Sequence, residues 1–196
     1  MYNKNTGNLF MYHTEGIVLA YYNSGEADRF LVVYTKDFGL LRIFAKSIRL
    51  AKSKLTRHTQ LFSHARLSFV YGRDFLRLTD AEIITPFSSD DEKLLTAGKI
   101  SRFVTRLVSG EEQDDVLWQI LNSAFGFLRQ GEQVSEDFDL LFGVRVLHCL
   151  GYVGVLPEGL KKAVLGNEWA DGATAHDNLK YSLLPIFNSG LRISQL

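Results

Sequence analysis

Arg42, Phe44 and Lys46 occupy alternate positions along one stretch of the chain, and Arg73, Phe75 and Arg77 do the same along another. Residues two apart share a face of an extended strand. Each triplet would therefore present a cation, an aromatic ring and a second cation on one side. That grouping suits single-stranded nucleic acid, whose phosphates follow cationic grooves and whose bases stack on rings, at about 1–3 kcal/mol per base. For either triplet alone, the plainer account is a solvated strand face with its ring partly covered by arginine stems. The connection between them is more telling. Arg42, Lys46, Arg49, Lys52, Lys54 and Arg57 form a run of six cations, and no Asp or Glu occurs between Phe38 and Arg73. Like charges gathered this way repel one another unless an anion offsets them. Nucleic acid is the expected anion.

No catalytic motif competes with that reading. The sequence contains no GxxxxGK[ST], no GxGxxG after a strand, no HExxH, no GxSxG and no cysteine pair. His13, His58, His64, His148 and His176 are not at metal-ligand spacing. Glu111, Glu112, Asp114 and Asp115 could pass for a carboxylate cluster, but they sit at a helix start, where the helix dipole favours acids. The expectation is a protein without catalytic residues, cofactor or metal.

The elements that must position these residues change character halfway along. His13 to Asn23, Arg29 to Lys36, Leu40 to Ser47, Leu61 to Tyr71 and Asp74 to Thr85 read as five strands separated by turns and one long basic connection. A small Greek-key barrel accommodates that order. Within it Leu41, Ile43 and Ala45 point inward, as do Leu76 and Leu78, and Ala65, Leu67, Phe69 and Tyr71 share a face. From Ser88 the period becomes helical. Ser88 to Glu92 starts one helix, with an apolar stripe of Leu94/Leu95, Ile100, Phe103/Val104 and Leu107/Val108, ending near Gly110. Asp114-Asp115 opens a second helix, striped by Val116/Leu117, Ile120/Leu121, Ala124/Phe125 and Leu128 and closed by Gly131. Ser135 to Asp137 starts a third, from Phe138 to about Gly151, apolar nearly all round and so buried. Beyond Pro157 the pattern weakens to a short helix up to Leu165, a loop from Gly166 to Asn178, and a last helical or irregular segment from Leu179 to Leu191.

The expected fold is α+β. Residues 1–12 form a polar N-terminal extension without the apolar region of a signal peptide, residues 13–86 an OB-type barrel and residues 87–156 a helical domain. Residues 157–196 form a reduced C-terminal segment packed on that helical domain. The 196 residues are 46% apolar and 22% charged, which is ordinary for a globular chain with a sizeable core. The single cysteine, Cys149, fits a reducing cytoplasm. The longest apolar stretch, Leu140 to Leu156, carries Arg145 and His148 near its centre and reads as a buried helix, not a membrane span. The zero net charge conceals two opposite halves. Met1 to Pro86 holds 12 Lys and Arg against 7 Asp and Glu, and the remainder holds 10 against 15.

Particular residues give this pattern a family resemblance. Thr14-Glu15-Gly16-Ile17-Val18-Leu19, Gly25 to Phe30 leading into Val-Tyr-Thr35, and Phe38-Gly39-Leu-Leu-Arg42 are similar to the RecO family of DNA-repair proteins. So are Ala45-Lys46, Arg49, Lys52-Ser53, Leu55, Leu78-Thr79-Asp80-Ala81-Glu82 and Arg145 to Tyr152. The matches run in order over about residues 13–153. The resemblance implies an OB fold that binds single- and double-stranded DNA, with Arg29 joining the candidate residues above. It implies strand annealing, association with RecR and with the tail of single-stranded DNA-binding protein, and help in loading RecA. Such a tail pairs an aromatic residue with a carboxylate, so its site needs an apolar pocket beside a cation. Arg102, Arg106 and Arg145, on helices beside apolar stripes, are the candidates, although ordinary ion pairing would also account for them. Family members usually carry a four-cysteine zinc module after the LGY segment. Here Tyr152 is followed by Val-Gly-Val-Leu-Pro157 and no cysteine lies beyond Cys149, so zinc is not expected and association with RecR is in doubt. An adaptor binding RNA or an acidic protein through the same basic connection is the alternative.

Overall fold

Strands shape the N-terminal half of the computed structural model, which describes residues 10–88, 90–130, 134–135, 137–166, 168–169 and 179–195, and burial alternates most regularly from Gly39 to Ala45. The strands are β1 (Met11–Ser24), β2 (Asp28–Thr35), β3 (Gly39–Ala45), β4 (His64–Tyr71) and β5 (Leu76–Thr85). They close into a barrel in the order β1-β2-β3-β5-β4, a Greek-key arrangement of the OB type. All neighbours are antiparallel except β3 and β5, whose parallel ladder is short: Ile43 faces Leu76 and Phe44 faces Arg77. Val18, Leu31, Val33, Leu41, Ile43, Leu67 and Phe69 fill the interior. Burying each such side chain contributes roughly 1.5–3 kcal/mol. The inward set read from the sequence holds: Leu41, Ile43, Ala45, Ala65, Leu67, Phe69 and Leu76 are buried, while Tyr71 and Leu78 are partly buried against them.

Two local features set the strand geometry. In β1 the register to β2 slips between Val18 and Ala20, a bulge at the buried Leu19. Past that point the faces of β1 exchange, so Tyr22 stands opposite Phe30 instead of facing inward as an unbroken period of two requires. At the β2–β3 turn, Gly39 has φ +64°, and a Cβ there would lie 2.2 Å from the carbonyl oxygen of Glu112. Only glycine fits both the dihedral and the gap.

The chain divides into two compact units: Met1–Phe87 with Glu111–Gln113, and Ser88–Gly110 with Asp114–Leu196. The second is helical: α2 (Asp91–Leu107), α3 (Asp115–Arg129), α4 (Phe138–Cys149), α5 (Glu158–Leu165) and α6 (Leu179–Ser194), after a four-residue α1 (Leu55–His58) in the barrel unit. Asp90 and Asp114 cap α2 and α3, their carboxylates accepting from the backbone N–H of Lys93 and Leu117 at 2.9 Å each. The acids therefore act as caps, and among the described residues no group of His, Cys, Asp or Glu could hold a metal. Helix α4 is buried along nearly its whole length and packs with α2, α3, α5 and α6.

Some details depart from the apolar pattern. Leu94 and Leu95 are exposed, and α2 instead buries Lys93, Thr96, Ala97, Ile100, Ser101 and Val104. The capping ion pair between Lys93 and Asp90, at 3.1 Å, lets a lysine occupy the inner face. Val116 is likewise exposed, next to the buried Leu117 and Trp118. The segment past Leu165 is partly outside the described residues, as is the expected stop at Gly131. No helix among the described residues is long and apolar enough to cross a membrane.

Candidate nucleic-acid interface

The parallel pairing of β3 with β5 sets the two sequence triplets side by side. Phe44 and Phe75 have ring centroids 4.8 Å apart, and Arg42, Lys46, Arg73 and Arg77 are exposed around them. The Arg77 guanidinium lies 5.8 Å from the Phe75 ring centre. Two further rings, not anticipated from the sequence, extend the cluster. Phe30 stands opposite Phe44 in the β2–β3 register, with centroids 5.1 Å apart, and lies 5.6 Å from Phe75. Tyr22, brought to this face by the β1 bulge, stacks on Phe30 at 5.3 Å and is 45% exposed. Neither has a plain sequence signal: Phe30 opens the unbroken apolar run Phe30 to Tyr34, which shows no alternation, and nothing marks the bulge that turns Tyr22.

Arg29 does not join this face. It stands opposite the buried Ala45, on the other pleat from Phe30. Its guanidinium lies 4.0 Å above the Tyr21 ring, and its Nε donates to Asn23 Oδ1 at 3.1 Å. The structure thus places Arg29 at the β1–β2 turn, on the opposite pleat from Phe30 and Phe44.

The basic connection is tied to the barrel by its backbone, which leaves its side chains outward. The Ser47 N–H donates to Asp28 Oδ1 at 2.6 Å, and the Arg49 N–H to the carbonyl of Ala27 at 2.9 Å. Ile48 is fully buried, and Thr56 Oγ1 donates to its carbonyl. The Arg49 guanidinium donates to the Gly25 carbonyl at 3.1 Å. Lys46, Lys52, Lys54 and Arg57 are exposed. Among the described residues, none of them and neither Arg42 nor Arg73 forms an ion pair. Arg66 differs: it pairs with Glu82 at 2.7 Å and Glu15 at 3.7 Å, acids that come from neighbouring strands. The acid-free stretch of sequence is thus mostly, though not wholly, uncompensated in space.

In the helical unit, Arg102 and Arg106 are exposed, one turn apart on α2. With Lys99 and Thr105 they border an open groove whose apolar lining is Phe103, Phe187 and Leu191. Phe187 is held against α4, where a Cβ on Gly143 would lie 2.3 Å from its ring. Lys99 is committed to Asp139 at 2.8 Å, whereas Arg102 and Arg106 form no ion pair among the described residues.

Arg145 is elsewhere, and the expectation that grouped it with them is corrected. It is 3% exposed. Its Nε and Nη2 donate to the Ala163 carbonyl at 3.2 and 2.7 Å, Nη2 also donates to the Glu168 carbonyl at 2.8 Å, and the guanidinium lies 4.0 Å over Trp169. Burial lowers its pKa to about 10, which still leaves it charged at neutral pH. Arg145 clasps the end of α5 to α4. Cys149 is partly buried, its Sγ 3.6 Å from Asp114 Oδ2; burial, and then that carboxylate, push the thiol up to about 12.

A family model described as "Recombination protein O N terminal" matches residues 10–87, the span of the barrel. Curated relatives named "DNA repair protein RecO" match beyond it. The protein of Trichodesmium erythraeum is 30% identical over 169 residues, covering 81% of this chain and 58% of that one. That of Rubrobacter xylanophilus is 32% identical over 144 residues, covering 72% and 58%. That of Nocardioides sp. is 32% identical over 172 residues, covering 83% and 68%. The chain thus spans between about half and two thirds of the length of these relatives.

Proposed function

The chain belongs to the RecO family of DNA repair proteins, and from that premise we propose that it is a non-enzymatic recombination mediator whose barrel binds single- and double-stranded DNA. One observation carries the reading: Arg42, Lys46 and Arg73, without ion pairs among the described residues, are exposed on the strands and turn that hold the clustered aromatic rings, and Lys52, Lys54 and Arg57, also without ion pairs there, follow on the connection that leaves β3. The cations take phosphates without regard to sequence, releasing counterions as they do. Among the described residues this face is built from strands and a connection, not from a helix that could read base edges in a groove, so sequence-independent binding is expected. A mediator of this kind brings complementary strands together and anneals them.

The groove on α2 supports a second contact in the same process. Its cations and apolar floor suit the acidic, aromatic tail of single-stranded DNA-binding protein, which would bring the mediator to strands that protein already coats. Association with RecR, and through it assistance in loading RecA, complete the proposal.

The test is annealing of two complementary oligonucleotides, followed by fluorescence quenching. Acceleration by the protein at stoichiometric amounts is the expected result. An adaptor that uses the same basic surface for RNA or an acidic protein has no reason to accelerate pairing, so an unchanged rate overturns the mediator reading.

A further inference from the structure

We propose that Tyr22, Phe30, Phe44 and Phe75 form a ledge that holds unpaired bases by their faces, so that the protein grips the single strand it anneals and loses that grip on the duplex it makes. The inference rests on the DNA-binding reading above and divides its chemistry between two sets of groups. The cations of the basic connection recognise phosphates, which single strand and duplex share. The rings recognise base faces, which only the single strand offers along its length.

The spacing leaves no slot between rings: Tyr22 and Phe30 are nearly parallel at 18°, while Phe30, Phe44 and Phe75 are inclined to one another by 47° to 83°, so the ledge is stepped and not flat. Neighbouring ring centroids are 4.8 to 5.3 Å apart. A base inserted between two rings needs about 7 Å, twice the roughly 3.4 Å rise of stacked bases. Bases therefore lie on the outward side of the rings, beginning at Tyr22, the most open of the four. The rings are also poorly explained as core. Tyr22, Phe30 and Phe44 project from the outer pleat of β1, β2 and β3, and Phe75 from the bend just before β5, whereas Leu31, Ile43 and Leu76 fill the interior. Four aromatic side chains at the rim of an uncompensated cationic surface have a specific complement: an anionic chain carrying flat π-faces.

The consequence for annealing follows from which part of the base is used. Stacking occupies a face and leaves the Watson–Crick edge free to meet a complementary strand. Once paired, the base is stacked between its neighbours and has no face for the ledge. The held strand stays competent to pair, and pairing itself removes the ring contacts, leaving only the phosphate contacts to the product.

Three probes of equal length separate the contributions: oligo-dT, an abasic phosphodiester oligomer, and a duplex, each titrated against the full chain at one salt concentration. The wild type should prefer oligo-dT to the abasic oligomer by at least about fivefold, the fold-change that one stacked base provides. Phe44→Leu, Phe75→Leu and Tyr22→Leu keep an apolar side chain, and Tyr22→Leu alters the most exposed ring, so the fold has least reason to suffer there. Each variant should lower that ratio by several-fold while affinity for the abasic oligomer and the duplex stays within about twofold of wild type. An unchanged ratio in the folded Tyr22→Leu and Phe44→Leu variants overturns the ledge, as does an equal loss on all three probes. Failure of the wild type to bind any probe overturns the DNA-binding reading as well.

Discussion

Phe44 and Phe75 come within 4.8 Å of each other because β3 and β5, not consecutive in the chain, pair in parallel with Phe44 opposite Arg77. One register thereby merges two separate basic–aromatic–basic patterns into one surface. The first expectation concerns the cations beside it.

Replacing Lys46, Arg49, Lys52 and Lys54 together with Ala should weaken DNA binding and flatten its salt dependence. Each lost phosphate contact removes about 0.7 from the log–log slope for a single strand, so the slope should fall by up to about 3. Surface substitutions of this kind change stability by under about 0.5 kcal/mol each. Arg49, with its bond to the Gly25 carbonyl, is the one with most to lose. Anisotropy titrations across a salt series, with thermal unfolding alongside, check both halves. Unchanged affinity at normal stability would move the site off this connection.

Charge reversal at Arg102 or Arg106 should abolish binding of an acidic peptide ending in an aromatic residue and a free carboxylate, yet spare binding to naked DNA. Neither side chain forms an ion pair among the described residues, and both border the groove floored by Phe103 and Phe187. Calorimetry with the peptide and anisotropy with an oligonucleotide would separate the two ligands. Joint loss of both activities would show that α2 is not a separate docking site.

Arg145→Met should destabilise the helical unit by about 2–4 kcal/mol, because a buried network loses its donor and the carbonyls of Ala163 and Glu168 lose their partner. Arg145→Lys should recover only part, since an ammonium cannot reproduce the planar stacking on Trp169. Denaturant unfolding measures the difference. A variant as stable as wild type, with impaired peptide binding, would return Arg145 to the docking surface.

Cys149 should alkylate slowly. With its pKa pushed up to about 12, the thiol is almost wholly protonated at pH 8. A free cysteine is roughly a quarter ionised there. Asp114→Asn retains a capping acceptor for α3 but removes the nearby negative charge, so the thiol pKa should fall and alkylation quicken. It should stay slower than in an unfolded chain, since burial is the larger cause. Rates of iodoacetamide labelling across pH give the comparison, and a rate at pH 8 equal to that of the denatured chain would contradict the assigned environment.

Much of the barrel is legible because its strands are half buried, and half burial writes itself as alternation. Leu41, Ile43 and Ala45 face in, and Arg42, Phe44 and Lys46 face out, as a period of two requires. Where that period breaks, the sequence is silent. The bulge at Leu19 turns Tyr22 to the outer face, and nothing in a run of apolar residues marks the slip. Charge was misleading in a different way. Arg145 was grouped with Arg102 and Arg106 because all three are cations beside apolar stripes, yet three carbonyl contacts and the Trp169 ring make it an interior residue. Those partners come from chain 18 to 24 residues further on, after a segment with weak periodicity, so the pairing had no local signature. Leu94 and Leu95 show the reverse: apolar side chains at a helix start that remain in solvent while a capped lysine turns in.

The ladder that completes the barrel joins β3 to β5 through only Ile43 with Leu76 and Phe44 with Arg77, whereas every other pair of strands is matched along most of its length. Transient opening starts where the fewest contacts must break, so the barrel should breathe first along this line. Phe44 and Phe75 sit astride it. A strand of DNA resting on those rings, as proposed, would span the opening and resist it, so occupancy should lengthen the lifetime of the closed form. At a ligand concentration of 100 times Kd, that linkage adds about 2.7 kcal/mol to the folded state. On the proposed DNA-binding reading, the region that would meet the nucleic acid is the one least secured by its own backbone, and bound DNA would act as its missing fastening.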